Sequence, residues 1–158
     1  MKYASSNLLE DFEFHDAFLK YESFCNATLV VSVRYLNIHK TAEQNSYDND
    51  MEIELAKITF YGFCVKQYEP GRTWYQNEKG ELCTDEPQVI FEGTQAEEKL
   101  FANFQSGSTI YDLGIHENGN CYLDASGVEP FFYAQFSFDS AVVEWDKYCN
   151  IAWYEEKH

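Results

Sequence analysis

Apolar and polar side chains alternate along most of this chain, and that period of two commits it to β-strands. Over residues 29–39, Leu29, Val31, Val33 and Tyr35 fall on one face, and Val30, Ser32, Arg34, Leu36 and Ile38 on the other. Apolar residues on both faces place this strand inside a sheet. Residues 20–26 read as its partner, joined through a turn at Asn26-Ala27-Thr28; a helix over 16–24 capped by Asp16 is the alternative. Phe132, Ala134, Phe136 and Phe138 alternate with Tyr133, Gln135 and Ser137, and Ala141, Val143 and Trp145 share one side of a strand over 141–148.

Departures from the pattern mark the turns and a helix. Met51, Ile53 and Leu55 alternate with Glu52 and Glu54, after which the apolar phase passes to Ala56, Ile58 and Phe60. One extra residue swaps the buried face, so a β-bulge is expected near Leu55-Ala56, in a strand reaching about Gln67. Asn77-Glu78-Lys79-Gly80 closes a short hairpin, and residues 87–92 form a further strand. Thr94 and Glu97 have capping-box spacing, and Ala96, Leu100 and Phe104 follow on one helical face, predicting a helix over 95–104. A three-residue loop at Glu117-Asn118-Gly119 sets Ile115 against Cys121, Leu113 against Leu123 and Tyr111 against Ala125. The fold class is therefore mainly β: an antiparallel sandwich or strongly curved sheet of about eight to ten strands with one short helix. Residues 1–158 are expected to form a single domain, with α+β the alternative class.

Charge narrows the partners. Residues 100–146 contain no lysine or arginine but carry seven carboxylates and ten aromatic rings. Of the net charge of −16, residues 80–158 hold −12. Such a surface repels nucleic acid and anionic lipid and attracts basic proteins. An 18% aromatic content argues against a disordered acidic chain. No apolar run is long enough to span a membrane, and the first 16 residues lack the apolar core of a secretory signal. Cys25, Cys64, Cys83, Cys121 and Cys149 are scattered and form no CxxC pair, as expected of a reduced cytoplasmic protein.

Catalytic and metal signatures are weak. His15-Asp16 is the one adjacent His–carboxylate pair, able to serve one ion only if it sits at a turn. Asp48, Asp50, Glu52 and Glu54 form an acidic ladder without the glycine and terminal glutamate of an EF-hand. No GxSxG, HExxH, P-loop or GxGxxG motif occurs, and the four histidines are far apart in sequence. No catalytic residue and no cofactor are assigned.

The segment Phe12-Glu13-Phe14-His15-Asp16-Ala17 resembles the opening of small bacterial families that include immunity proteins of polymorphic toxin systems. The tail Val143-Glu144-Trp145-Asp146-Lys147-Tyr148, with Ala152-Trp153-Tyr154, is similar too. That resemblance implies a small acidic β-protein that neutralises a toxin by binding, with no catalytic machinery. Expected partner contacts are Asp48, Asp50, Glu117, Glu129, Trp153, Glu155 and Glu156, while Trp145 belongs to the core. The alternative is a metal-dependent enzyme or small-ligand binder using His15 and Asp16. Pairing between copies through exposed edge strands is a third expectation.

Overall fold

The computed structural model describes residues 1–155. Along the chain run β1 (Tyr3–Ser6), β2 (Phe12–Glu13), β3 (Phe18–Cys25), β4 (Thr28–Arg34), β5 (Leu36–Ile38), β6 (Met51–Ile53), β7 (Ala56–Tyr61) and β8 (Cys64–Pro70). There follow β9 (Tyr75–Gln76), β10 (Leu82–Cys83), β11 (Phe91–Glu92), the helix α1 (Gly93–Ser106), β12 (Ser108–Ile115), β13 (Cys121–Ser126), β14 (Phe132–Ser137), β15 (Ser140–Trp145) and β16 (Tyr148–Ile151). Among the described residues the protein is mainly β and antiparallel, with one α-helix and a 3-10 turn at Leu9–Asp11.

Ten strands form one sheet in the order β1-β15-β7-β4-β3-β12-β13-β14-β8-β11. A two-residue link, Gly62-Phe63, joins β7 to β8, which lie six places apart in that order. Six places in a flat sheet span roughly 29 Å. The three Cα steps from Tyr61 to Cys64 reach at most about 11 Å. The sheet must therefore curl until its flanks face each other. Gly62 makes the sharp link at φ 68°, and a Cβ there would run into the Asp139 carboxylate. Phe60, Phe63 and Phe136 fill the space inside the curl, with centroids 4.9 Å apart for Phe63–Phe136 and 6.0 Å for Phe60–Phe136.

A second, four-stranded sheet has the order β16-β6-β5-β2. These strands adjoin in sequence β15, β7, β4 and β3, neighbours in the same order in the large sheet. The small sheet is thus one flank of the large one, folded over at a corner. Strands that turn corners change their buried face. In β4 the buried residues are Leu29, Val31 and Val33; beyond Tyr35, at φ 60°, they are Leu36, Asn37 and Ile38. The phase change at Leu55-Ala56 has the same origin. It marks the passage from β6 in one sheet to β7 in the other, where a simple bulge was expected.

Other expectations need adjustment. The strand foreseen from Met51 to about Gln67 is three strands, β6, β7 and β8, interrupted at 54–55 and again at Gly62-Phe63. The strand foreseen over 87–92 shrinks to Phe91–Glu92. The helix begins at Gly93, whose φ of 59° turns the chain out of β11. Thr94 is then already in the first turn, and Glu92, at the N-cap, makes no side-chain capping bond. The helical face itself is as expected, with Ala96, Leu100 and Phe104 buried and Asn103 beside them donating to Tyr68 Oη at 2.8 Å.

Candidate functional site

The corner opens a split in the molecule. β12 pairs with β3 only at Ser108 and Thr109, and Ile110 then exchanges backbone bonds with Asp16 and Ala17. Beyond that point β2, the stretch preceding β3, bends away into the small sheet, whereas β12 runs on beside β13. Tyr111 is the extra residue of a bulge between Ile110 and Asp112. The resulting groove has β2 on one wall and the second half of β12 on the other.

Two adjoining cavities fill this groove. One, of about 400 Å³, is floored by Phe12, Phe14, Leu113 and Cys121 and rimmed by Glu10, Glu13 and Asp112. The second, of about 450 Å³, lies between Glu13, His15, His39, Tyr111, Asp112, Trp153 and Tyr154. Glu13 and Asp112 belong to both, and among the described residues no lysine or arginine lines either. Trp153 is 43% exposed and its indole centroid lies 6.5 Å from the His15 ring.

His15 and Asp16 do sit at a turn, with Ala17 N–H donating to Phe14 O and Asp16 at φ 68°. His15 Nδ1–H donates to the Tyr111 carbonyl at 2.7 Å, which leaves Nε2 3.6 Å from Asp16 Oδ2. The Tyr111 carbonyl raises the His15 pKa above its ordinary value. Desolvation opposes it, and Asp16, Glu13 and Asp112 reinforce it. Among the described residues no three His, Cys, Asp or Glu side chains are grouped to hold a metal ion.

Asp50 has a different role from the one expected. It is only 7% exposed, and its carboxylate accepts bonds from His39 Nδ1–H at 2.9 Å, Lys40 N–H at 2.8 Å and Tyr154 Oη–H at 2.6 Å. Its own carbonyl accepts the Ala152 N–H. Burial pushes the Asp50 carboxyl upward, but the bonds from Tyr154, His39 and the Lys40 amide outweigh it and hold the pKa below the usual value. Burial, then the Asp50 carboxylate, pushes the Tyr154 phenol well above its ordinary value. Asp50 therefore clamps the C-terminal segment and so positions Trp153. It is not an open contact.

The other expected contacts scatter. Asp48 is exposed in the loop before β6, and Glu155 is half-buried beside Tyr154. Glu117 and Glu129 flank opposite ends of the six-residue β13, roughly 20 Å apart, too far for one small patch. Glu156 lies outside the described residues. Trp145 is fully buried among Tyr3, Phe12 and Tyr148, as expected.

Three groove residues, Glu10, Glu13 and Asp112, were not singled out from sequence. The signal for Asp112 was the register of the β12–β13 hairpin. Leu113↔Leu123 and Ile115↔Cys121 pair as expected, but the Tyr111 bulge puts Ile110, not Tyr111, opposite Ala125. On the outer face, Asp112, Asp124, Tyr133 and Glu69 form one row across β12, β13, β14 and β8. Tyr122 lies over Gly114, where a Cβ would clash with the phenol, and His116 Nε2 is 2.9 Å from Tyr133 Oη.

The chain matches no protein-family model, and searches of curated proteins and of solved structures returned no significant match. Among the described residues no helix is long and apolar enough to cross a membrane.

Proposed function

We propose that the chain is a non-catalytic binding protein of immunity type, which docks a cationic protein such as a toxin domain. The observation that supports it is the groove between β2 and β12, acid-rimmed and, among the described residues, without a lining lysine or arginine, with Trp153 and Tyr111 exposed at one end. Opposite charge would steer a basic partner to this face, and the exposed rings would anchor it once docked. The five cysteines are all unpaired, in keeping with action in a reducing cytoplasm.

The test is affinity capture from the native host at low and high salt, with the native chain and a Glu13→Gln/Asp112→Asn/Trp153→Ala variant run side by side. The native chain should recover a protein with a basic surface, more weakly at high salt. The variant, with a thermal midpoint no lower than that of the native chain, should lose it. Equal recovery by both, or recovery of no basic protein by either, would overturn the proposal.

A further inference from the structure

The wall of the groove is a strand edge as well as a set of side chains. His116 N–H donates to Asn120 O at 2.8 Å, which makes 116/120 a hydrogen-bonded pair of the β12–β13 ladder. Bonded and non-bonded pairs alternate along an antiparallel ladder, so Gly114/Tyr122 and Asp112/Asp124 are also bonded pairs. Leu113 and Ile115 then turn their N–H and C=O groups away from β13, towards β2. Among the described residues no strand pairs with them on that side, because β12 has already parted from β3 at Thr109. Ile115 is 61% exposed.

We infer that the Leu113–Ile115 edge of β12 accepts an extended segment of the cationic partner as an added antiparallel or parallel strand, with basic side chains meeting Glu10, Glu13 and Asp112. This rests on the function proposed above and specifies how the partner engages. An exposed edge supplies main-chain bonds to any extended chain, so selectivity must come from the flanking side chains. Here those are three carboxylates above a floor of Phe12, Phe14, Leu113 and Cys121. A lysine or arginine matches both, since its methylene stem lies on apolar surface while its charged head meets the rim. The bulge at Tyr111 and the His15 bond to the Tyr111 carbonyl satisfy the edge on one side of the opening. The free stretch is therefore short, suited to a few residues and not to a long strand.

The probe is a labelled hexapeptide alternating lysine and valine, compared with its glutamate–valine counterpart, on the full chain. The lysine peptide should bind at least about tenfold more tightly, a modest factor for charge-assisted contacts. It should slow amide exchange at Leu113 and Ile115, and N-methylation of alternate peptide amides should abolish binding in one phase only. Glu13→Gln/Asp112→Asn should weaken binding without lowering the thermal midpoint. Equal affinity of the two peptides, or binding without protection at Leu113 and Ile115, would overturn the inference. If host capture still yields a basic protein in that case, the binding function stands and only the mode of engagement fails.

Discussion

Asp112 and Asp124 stand directly opposite each other on β12 and β13, two strands that carry no lysine or arginine. Burial first, and the Asp112 charge second, push the Asp124 carboxyl above its ordinary value. The folded protein thus holds this proton more tightly than the unfolded chain, so the penalty is present at neutral pH and is relieved as pH falls through the raised value. Asp124→Asn should raise the thermal midpoint at pH 7 by about 1–3 °C, the scale of one cross-strand like-charge contact. Calorimetry at neutral pH and again at about pH 3, where carboxyls are largely protonated, should show that gain vanish. A lower midpoint for the variant at neutral pH would contradict it.

Asp50 has the opposite sign. Its pKa is held below the unfolded value, so its contribution is complete above the ordinary carboxylate range and fades as pH falls through the folded value. Asp50→Asn should cost about 1–3 kcal/mol at pH 7, the range for disturbing bonds to a buried charged acceptor. Acidification should close the gap between the two proteins. Amide exchange at Ala152, whose N–H bonds the Asp50 carbonyl, should quicken in the variant before global unfolding does.

The turn between β3 and β4 places Asn26 at φ 51° and Ala27 at φ 57°. Two positive values in a two-residue hairpin favour Asn-Gly, and an exposed alanine there is strained. Ala27→Gly should stabilise by roughly 1 kcal/mol, read as a rise of a few degrees in thermal midpoint. Ala27→Val should lower it.

Thiol reactivity should separate the cysteines. Burial pushes the Cys121 thiol up to about 11. Burial and the nearby Glu52 carboxylate do the same for Cys149, also to about 11. Alkylation at pH 8 followed by peptide mass mapping should label exposed Cys25 and Cys64 first. Cys121 should be modified last, and only on unfolding.

Strands were legible where one face meets the core without interruption, as in the alternation of β14 and β15. The hairpin loop at Glu117–Gly119 was legible because a glycine, at φ 87° in the structure, sits where a left-handed residue is required. The corner was not. A phase change such as that at Leu55-Ala56 is the same in sequence whether a strand bulges locally or crosses to another sheet. Only the coincidence of four such breaks, at 14–17, Tyr35, 54–55 and 146–147, distinguishes them. Asp50 was misassigned for a related reason: an acidic residue in a polar loop looks solvated until His39, Lys40 and Tyr154 are brought to it from elsewhere in the chain.

The parting of β2 from β12 comes from backbone geometry, set by a corner and one bulge, and owes nothing to the identity of Glu10 or Asp112, whereas Glu13 Oε1 accepts the His15 N–H at the corner itself. Apart from Glu13, shape and selectivity are therefore encoded by separate residues. The rim can be rewritten, in nature or by design, to suit a new target while the cradle beneath it stays unchanged.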